Sequence, residues 1–100
     1  MMERLPMEAG RVVLSRQGRD AGRCFVVLQV LDDQFVLMAD GLSRKLAHPK
    51  KKKVKHLHPK PVVVEGIAEG LERHQLLDSD LRKALKAAGL ELDQPLCKEG

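Results

Sequence analysis

Apolar residues in the first forty positions fall into short runs of β-type composition, each closed by a turn signal. R-V-V-L-S-R, Arg11 to Arg16, stops at Gln17-Gly18. C-F-V-V-L-Q-V-L, Cys24 to Leu31, stops at Asp32-Asp33, and Q-F-V-L-M-A, Gln34 to Ala39, stops at Asp40-Gly41. The β-branched and aromatic content of the second run favours a buried strand over a helix of that length. Asp-Asp and Asp-Gly have the chemistry of tight turns between strands. A further short strand is expected from Leu42 to Leu46, and a last one near Val54 to His58. Four or five short strands at this spacing predict a small closed barrel rather than an open sandwich.

The pattern changes at Pro59-Lys60-Pro61. A helix is expected from about Ser79 to Ala88, where Leu81, Ala84, Leu85 and Ala88 share one face. Asp78 or Ser79 is placed to cap its start, and Gly89 to end it with Leu90 folding back. A weaker helix is expected over Ile67 to Leu76, with Gly70 lowering its propensity. The chain therefore divides into a β unit over 8–60 and a short helical extension over 61–100. With 100 residues, it has enough length for one modest core. Phe25 and Phe35 are its only aromatic residues, so that core must be aliphatic.

Charge sharpens this picture. Arg44 to Lys60 carries eight of the eighteen Lys and Arg residues and no acid, while the remaining ten basic residues face fourteen acidic ones. The net charge of +4 is thus one local feature, R-K-L-A-H-P-K-K-K-K-V-K-H-L-H-P-K. A cluster this dense makes a field that a polyanion finds, and bound phosphate relieves its self-repulsion. From Pro61 onward the balance is acidic, five basic residues against eight. With both phenylalanines in apolar runs, backbone and shape recognition are expected to dominate over base stacking.

The span G-R-V-V-L-S-R-Q-G-R-D-A-G-R-C-F-V-V-L-Q-V, Gly10 to Val30, resembles the KOW motif, a strand, a loop with a fixed glycine, and a second strand. With V-L-M-A-D-G at Val36 to Gly41, the layout is similar to KOW-type large-subunit ribosomal proteins of eukaryotes and archaea. The segment D-G-L-S-R-K-L-A-H-P-K-K-K-K-V-K-H-L, Asp40 to Leu57, looks closer still to small bacterial KOW-domain RNA-binding proteins. The resemblance implies a mainly β fold, an SH3-like five-stranded barrel with a short helical extension, that binds RNA through loops at one end. Gly22 matches the fixed glycine, and a sharp turn there requires positive φ. Arg19 and Arg23 flank it, and guanidinium groups bind phosphate bidentately. Arg44, Lys45, His48, Lys50, Lys51, Lys52, Lys53, Lys55 and His56 complete the expected RNA contacts, with Lys50 to Lys55 as a loop.

The expected partner is RNA, ribosomal RNA first, with ribosomal proteins as further neighbours and a monomer when free. The competing reading is a protein-interaction module, accessory to transcription elongation or ribosome assembly, using the acidic tail. Other chemistries fit poorly. His48, His56, His58 and His74 lack further ligands of suitable type and sit among cations, so no metal or other cofactor is expected. Ser15, Ser43 and Ser79 lie in no nucleophile motif, and no enzyme is expected. P-K-K-K-K-V-K, Pro49 to Lys55, has the form of a nuclear localisation signal, but such matches arise by chance in a lysine-rich segment. Cys24 and Cys97 match no paired motif, and Cys24 reads as a buried thiol in a reducing compartment. The opening M-M-E-R-L-P-M-E-A-G has no apolar leader region, and no apolar run approaches membrane-spanning length, so a cytoplasmic location is expected.

Overall fold

A computed structural model of the chain describes residues 6–87. Five strands, β1 (Arg11–Ser15), β2 (Cys24–Val30), β3 (Phe35–Ala39), β4 (Lys50–Lys53) and β5 (Leu57–Val63), form one antiparallel sheet in the order β4-β3-β2-β1-β5. Side chains alternate across it. Val12, Cys24, Val26, Leu28 and Ala39 enter one core cluster, while Val13, Phe25, Val27, Val36 and Met38 enter another. Both faces of β2 are therefore buried, which is why its sequence reads as a continuous apolar run.

Two short helices cover the first face. α1 (Ile67–Glu72) contributes Ile67, and α2 (Asp78–Ala87) contributes Leu81 and Leu85. The sheet's own curvature covers the second, because Leu57 of β5 packs in one cluster with Val36 and Met38 of β3, three places away in strand order. Register irregularities between Val27 and Gln29, and between Arg11 and Val13, mark where β2 and β1 bend. The buried guanidinium of Arg11 donates to the carbonyls of Pro6 and Lys60 and to Glu8, tying the start of the described chain to β5.

Four expectations are corrected here. The barrel is not closed: β4 and β5 adjoin in sequence through a 3-10 turn, Val54–His56, yet no ladder joins them among the described residues. β4 has only four residues, and β5 contains Pro59 and Pro61, whose missing N–H groups suit an edge strand. No strand forms over 42–46, because Asp40 holds that stretch as a bend by accepting from the Leu42 and Arg44 amides at 2.9 Å each. The lysine run is a strand over Lys50–Lys53, with Lys55 in the 3-10 turn, rather than a loop. Its register sets Lys53, Lys52, Lys51 and Lys50 opposite Phe35, Val36, Leu37 and Met38. The last strand starts at Leu57 rather than Val54 and continues to Val63.

The helices differ only at their ends. α1 stops at Glu72, and His74 then takes a positive φ of 56° as the chain turns back. α2 is not capped by Asp78 or Ser79. Asp78 Oδ1 instead accepts from the Leu46 amide at 2.7 Å, and Asp80 Oδ2 accepts from the Leu77 amide at 2.9 Å. That second bond is the return half of a capping box with Leu77 at its head. Gly89, Leu90 and Cys97 lie outside the described residues. Cys24 is buried in the helix-facing core.

Candidate nucleic-acid interface

Lysine is a poor strand former, and four in a row would disfavour any strand that lacked a template. The exposed edge of β3 supplies one. Residues paired across a ladder share a face, so Lys50 and Lys52 lie on the side of Met38 and Val36, half-buried, while Lys51 and Lys53 lie exposed on the side of Leu37 and Phe35. Long aliphatic stems cover apolar surface while the ammonium groups stay in water. Lysine also protects a sheet edge from pairing with another chain. On the side of Phe35, Lys51 Nζ sits 4.6 Å from the centroid of its ring, and Lys53 Nζ sits 6.0 Å from it.

The strand does not act alone. Lys52 Nζ donates to the Gln17 carbonyl at 2.8 Å, and the Arg16 amide donates to the His56 carbonyl at 2.9 Å. These bonds hold the start of the β1–β2 connection against β4 and the 3-10 turn. Arg16 and Arg19, both exposed, thus share one end of the molecule with Lys52, the exposed Lys55 and the half-buried His56. The His56 imidazole titrates below its usual range, through partial desolvation first and then the charges of Lys55, Lys52 and Lys53. It is the group in this cluster whose charge a phosphate would restore.

Gly22 has the positive φ required of it, 89°, and its amide donates to the Ser15 carbonyl at 2.8 Å. Arg23 and Arg44 are placed differently from the lysines. Arg23 lies 3.9 Å from Asp40 and Arg44 lies 4.0 Å from Asp20, each guanidinium part-exposed and each carboxylate almost buried. The two pairs link the β1–β2 and β3–β4 connections. Lys45 and His48 are exposed on the second of these, joined by a backbone bond from the His48 amide to the Lys45 carbonyl. The expected contacts therefore form a lysine edge with its adjoining turn, and an arginine pair anchored by acids.

Sequence reasoning missed two members. Arg16 closes the first apolar run in the sequence, and the bond from its amide to the His56 carbonyl shows which cluster it joins. Phe35 lies in an apolar run, which favours a core position, yet it packs in neither core cluster and is half-buried. Its place beside Asp32-Asp33 was the available signal: Asp32 Oδ1 accepts from the Gln34 and Phe35 amides, which sets Phe35 at the very start of β3. Elsewhere, a groove of about 370 Å³ lies between the β3–β4 connection and α2, with Leu42 and Leu85 beside Arg82, Lys83 and Lys86. Among the described residues, no three His, Cys, Asp or Glu side chains gather as a metal site, and no helix is long and apolar enough to cross a membrane.

No family model matches the chain. Individual relatives do. It is 34% identical over 86 residues to the large ribosomal subunit protein eL14 of Methanococcus maripaludis, covering 84% of this chain and 95% of that protein. It is 32% identical over 84 residues to eL14 of Pyrobaculum calidifontis, covering 84% and 76%. Against eL14 of Hyperthermus butylicus it is 32% identical over 89 residues, covering 84% and 80%. These relatives are archaeal, so they support the ribosomal part of the expected resemblance and not its bacterial part.

Proposed function

The chain belongs to the eL14 family of large ribosomal subunit proteins, and from that membership we propose that it binds ribosomal RNA through the lysine edge of its sheet. The observation that carries this reading is the union of β4, the 3-10 turn and the start of the β1–β2 connection into one cationic end. Lys51, Lys53 and Lys55 are exposed on an ordered backbone, so little backbone freedom is lost when they meet phosphate. Successive side chains on one face of a strand repeat at about 6.8 Å, which presents Lys51 and Lys53 as a row. Arg16, Arg19 and His56 extend it, and Arg23, Arg44, Lys45 and His48 form a second contact region. Phosphate contacts of this kind position a protein without reading sequence.

In this reading the protein works as a non-catalytic monomer when free, in the cytoplasm, and takes other large-subunit proteins as neighbours once assembled. Its helical extension then serves as a lid on the β unit's core. The basic-rimmed groove beside α2 favours a second, protein-facing role for that extension. Crosslinking and sequencing of RNA bound to the tagged chain in cells tests the main proposal. Crosslinks concentrated in large-subunit ribosomal RNA, mapping to peptides spanning β4 and the 3-10 turn, are expected. Crosslinks absent from ribosomal RNA would overturn it.

A further inference from the structure

Phe35 is the one large aromatic side chain that the fold leaves outside both of its cores. It stands part-exposed at the head of β3, on the side of Leu37, with Lys51 and Lys53 on the neighbouring strand directed at its ring. A ring so placed contributes little to the core. Two ammonium groups lie over its ring, and such cation–π contacts are weak where solvent reaches them. An aromatic face flanked by cations on a sheet surface has the elements of a stacking platform: the ring takes a base, and the cations take the phosphates on either side.

We propose that Phe35 receives an unpaired nucleobase of the RNA, with Lys51 and Lys53 moving from the ring to the adjoining phosphates. The site rests on the RNA-binding reading above and narrows its ligand from helical RNA in general to RNA that offers an unstacked base, in a loop, bulge or single strand. Duplex RNA keeps its bases stacked and offers no free face. Selectivity for unpaired RNA then comes from Phe35, and the salt-dependent part of affinity comes from the lysines.

The test uses the full chain and two RNAs, a hairpin with a six-nucleotide loop containing 2-aminopurine and a blunt duplex of the same stem. Wild-type protein is expected to bind the hairpin more tightly and to quench the loop fluorophore. Phe35→Leu should weaken hairpin binding about tenfold and abolish quenching, leaving duplex binding unchanged. Phe35→Tyr, which keeps the ring, should restore both. Equal losses on hairpin and duplex would show that Phe35 only positions the lysines, and no loss on either would show that the ring is idle; both overturn the platform and leave RNA binding standing. Failure of the wild-type chain to bind either RNA at low salt would overturn the RNA-binding reading and the platform with it.

Discussion

The ammonium of Lys52 donates to the backbone carbonyl of Gln17 at 2.8 Å, joining the middle of β4 to the loop that leaves β1. It lies beside Gly18 as well, where an added Cβ would meet Lys52 Nζ at 3.1 Å. One lysine of the run therefore serves the fold, although its neighbours Lys51 and Lys53 face solvent. Lys52→Gln should loosen the loop while costing no more than about 1 kcal/mol of global stability, since the bond is exposed. Hydrogen exchange checks this: the amides of Ala21 and Gly22, which bond to Gly18 and Ser15, should exchange faster. Unchanged exchange would mean that the loop holds itself.

Two glycines with similar φ should behave differently on substitution. At Gly22 (φ 89°) an added Cβ meets nothing within 4 Å, whereas at Gly41 (φ 78°) it collides with the Asp78 carbonyl at the start of α2. Gly22→Ala should cost about 1 kcal/mol, the strain of a left-handed backbone alone. Gly41→Ala should cost about 3 kcal/mol or more, because it also forces α2 from the sheet. Urea unfolding distinguishes them. Equal losses would contradict the close approach between the β3–β4 connection and α2.

His56 gives binding and folding opposite pH dependences. Its folded-state pKa is depressed, by partial desolvation and by Lys55, Lys52 and Lys53, so the unfolded chain takes up its proton first as pH falls. Stability from this group is full above the ordinary histidine range and declines as pH drops through it. Phosphate favours the charged imidazole, so RNA binding takes up a proton and should tighten between pH 7.5 and 5.5. In His56→Gln the affinity should vary less with pH over that interval, as measured by anisotropy titration. An undiminished pH dependence would remove His56 from the interface.

Asp40 organises its connection more than the Arg23 and Arg44 guanidiniums do. Its carboxylate accepts from the Leu42 and Arg44 amides and from Ser43 Oγ, all at 2.9 Å, and it is almost buried. Asp40→Ala should cost about 2–4 kcal/mol. Arg23→Gln and Arg44→Gln should cost under about 1 kcal/mol each, because ion pairs of 3.9 and 4.0 Å with half-exposed guanidiniums are weak. Thermal melts of the three variants check this ordering. The arginine variants then report on RNA contact without confusion from unfolding.

Sequence made β1, β2 and β3 legible because their apolar runs end at turn residues whose side chains or glycines do the turning. It marked both helices through Ile67, Leu81 and Leu85, which are buried against the sheet. It concealed β4 for a physical reason: strand periodicity appears as alternating residue type, and four identical lysines carry none. Their alternation exists only in burial, half-buried at Lys50 and Lys52, exposed at Lys51 and Lys53. At Leu42 to Leu46 the reverse holds: a strand is expected, and the Asp40 carboxylate bends the stretch instead. Pro59 and Pro61 both lie within β5, where an edge strand tolerates them. The basic character of the site was visible, but its assembly was not, because the bonds from Lys52 to Gln17 and from Arg16 to His56 are tertiary.

The most direct test of the lysine edge is the salt dependence of binding to a large-subunit ribosomal RNA fragment, measured by filter binding. The wild-type chain is compared with a Lys51→Gln, Lys53→Gln, Lys55→Gln variant, whose three sites are exposed. Wild type should give a log–log slope of about −3 to −6, and the variant a slope shallower by about two to three, with the fold intact. Absence of wild-type binding at low salt, or an identical slope in the variant, would contradict an RNA interface built on this edge.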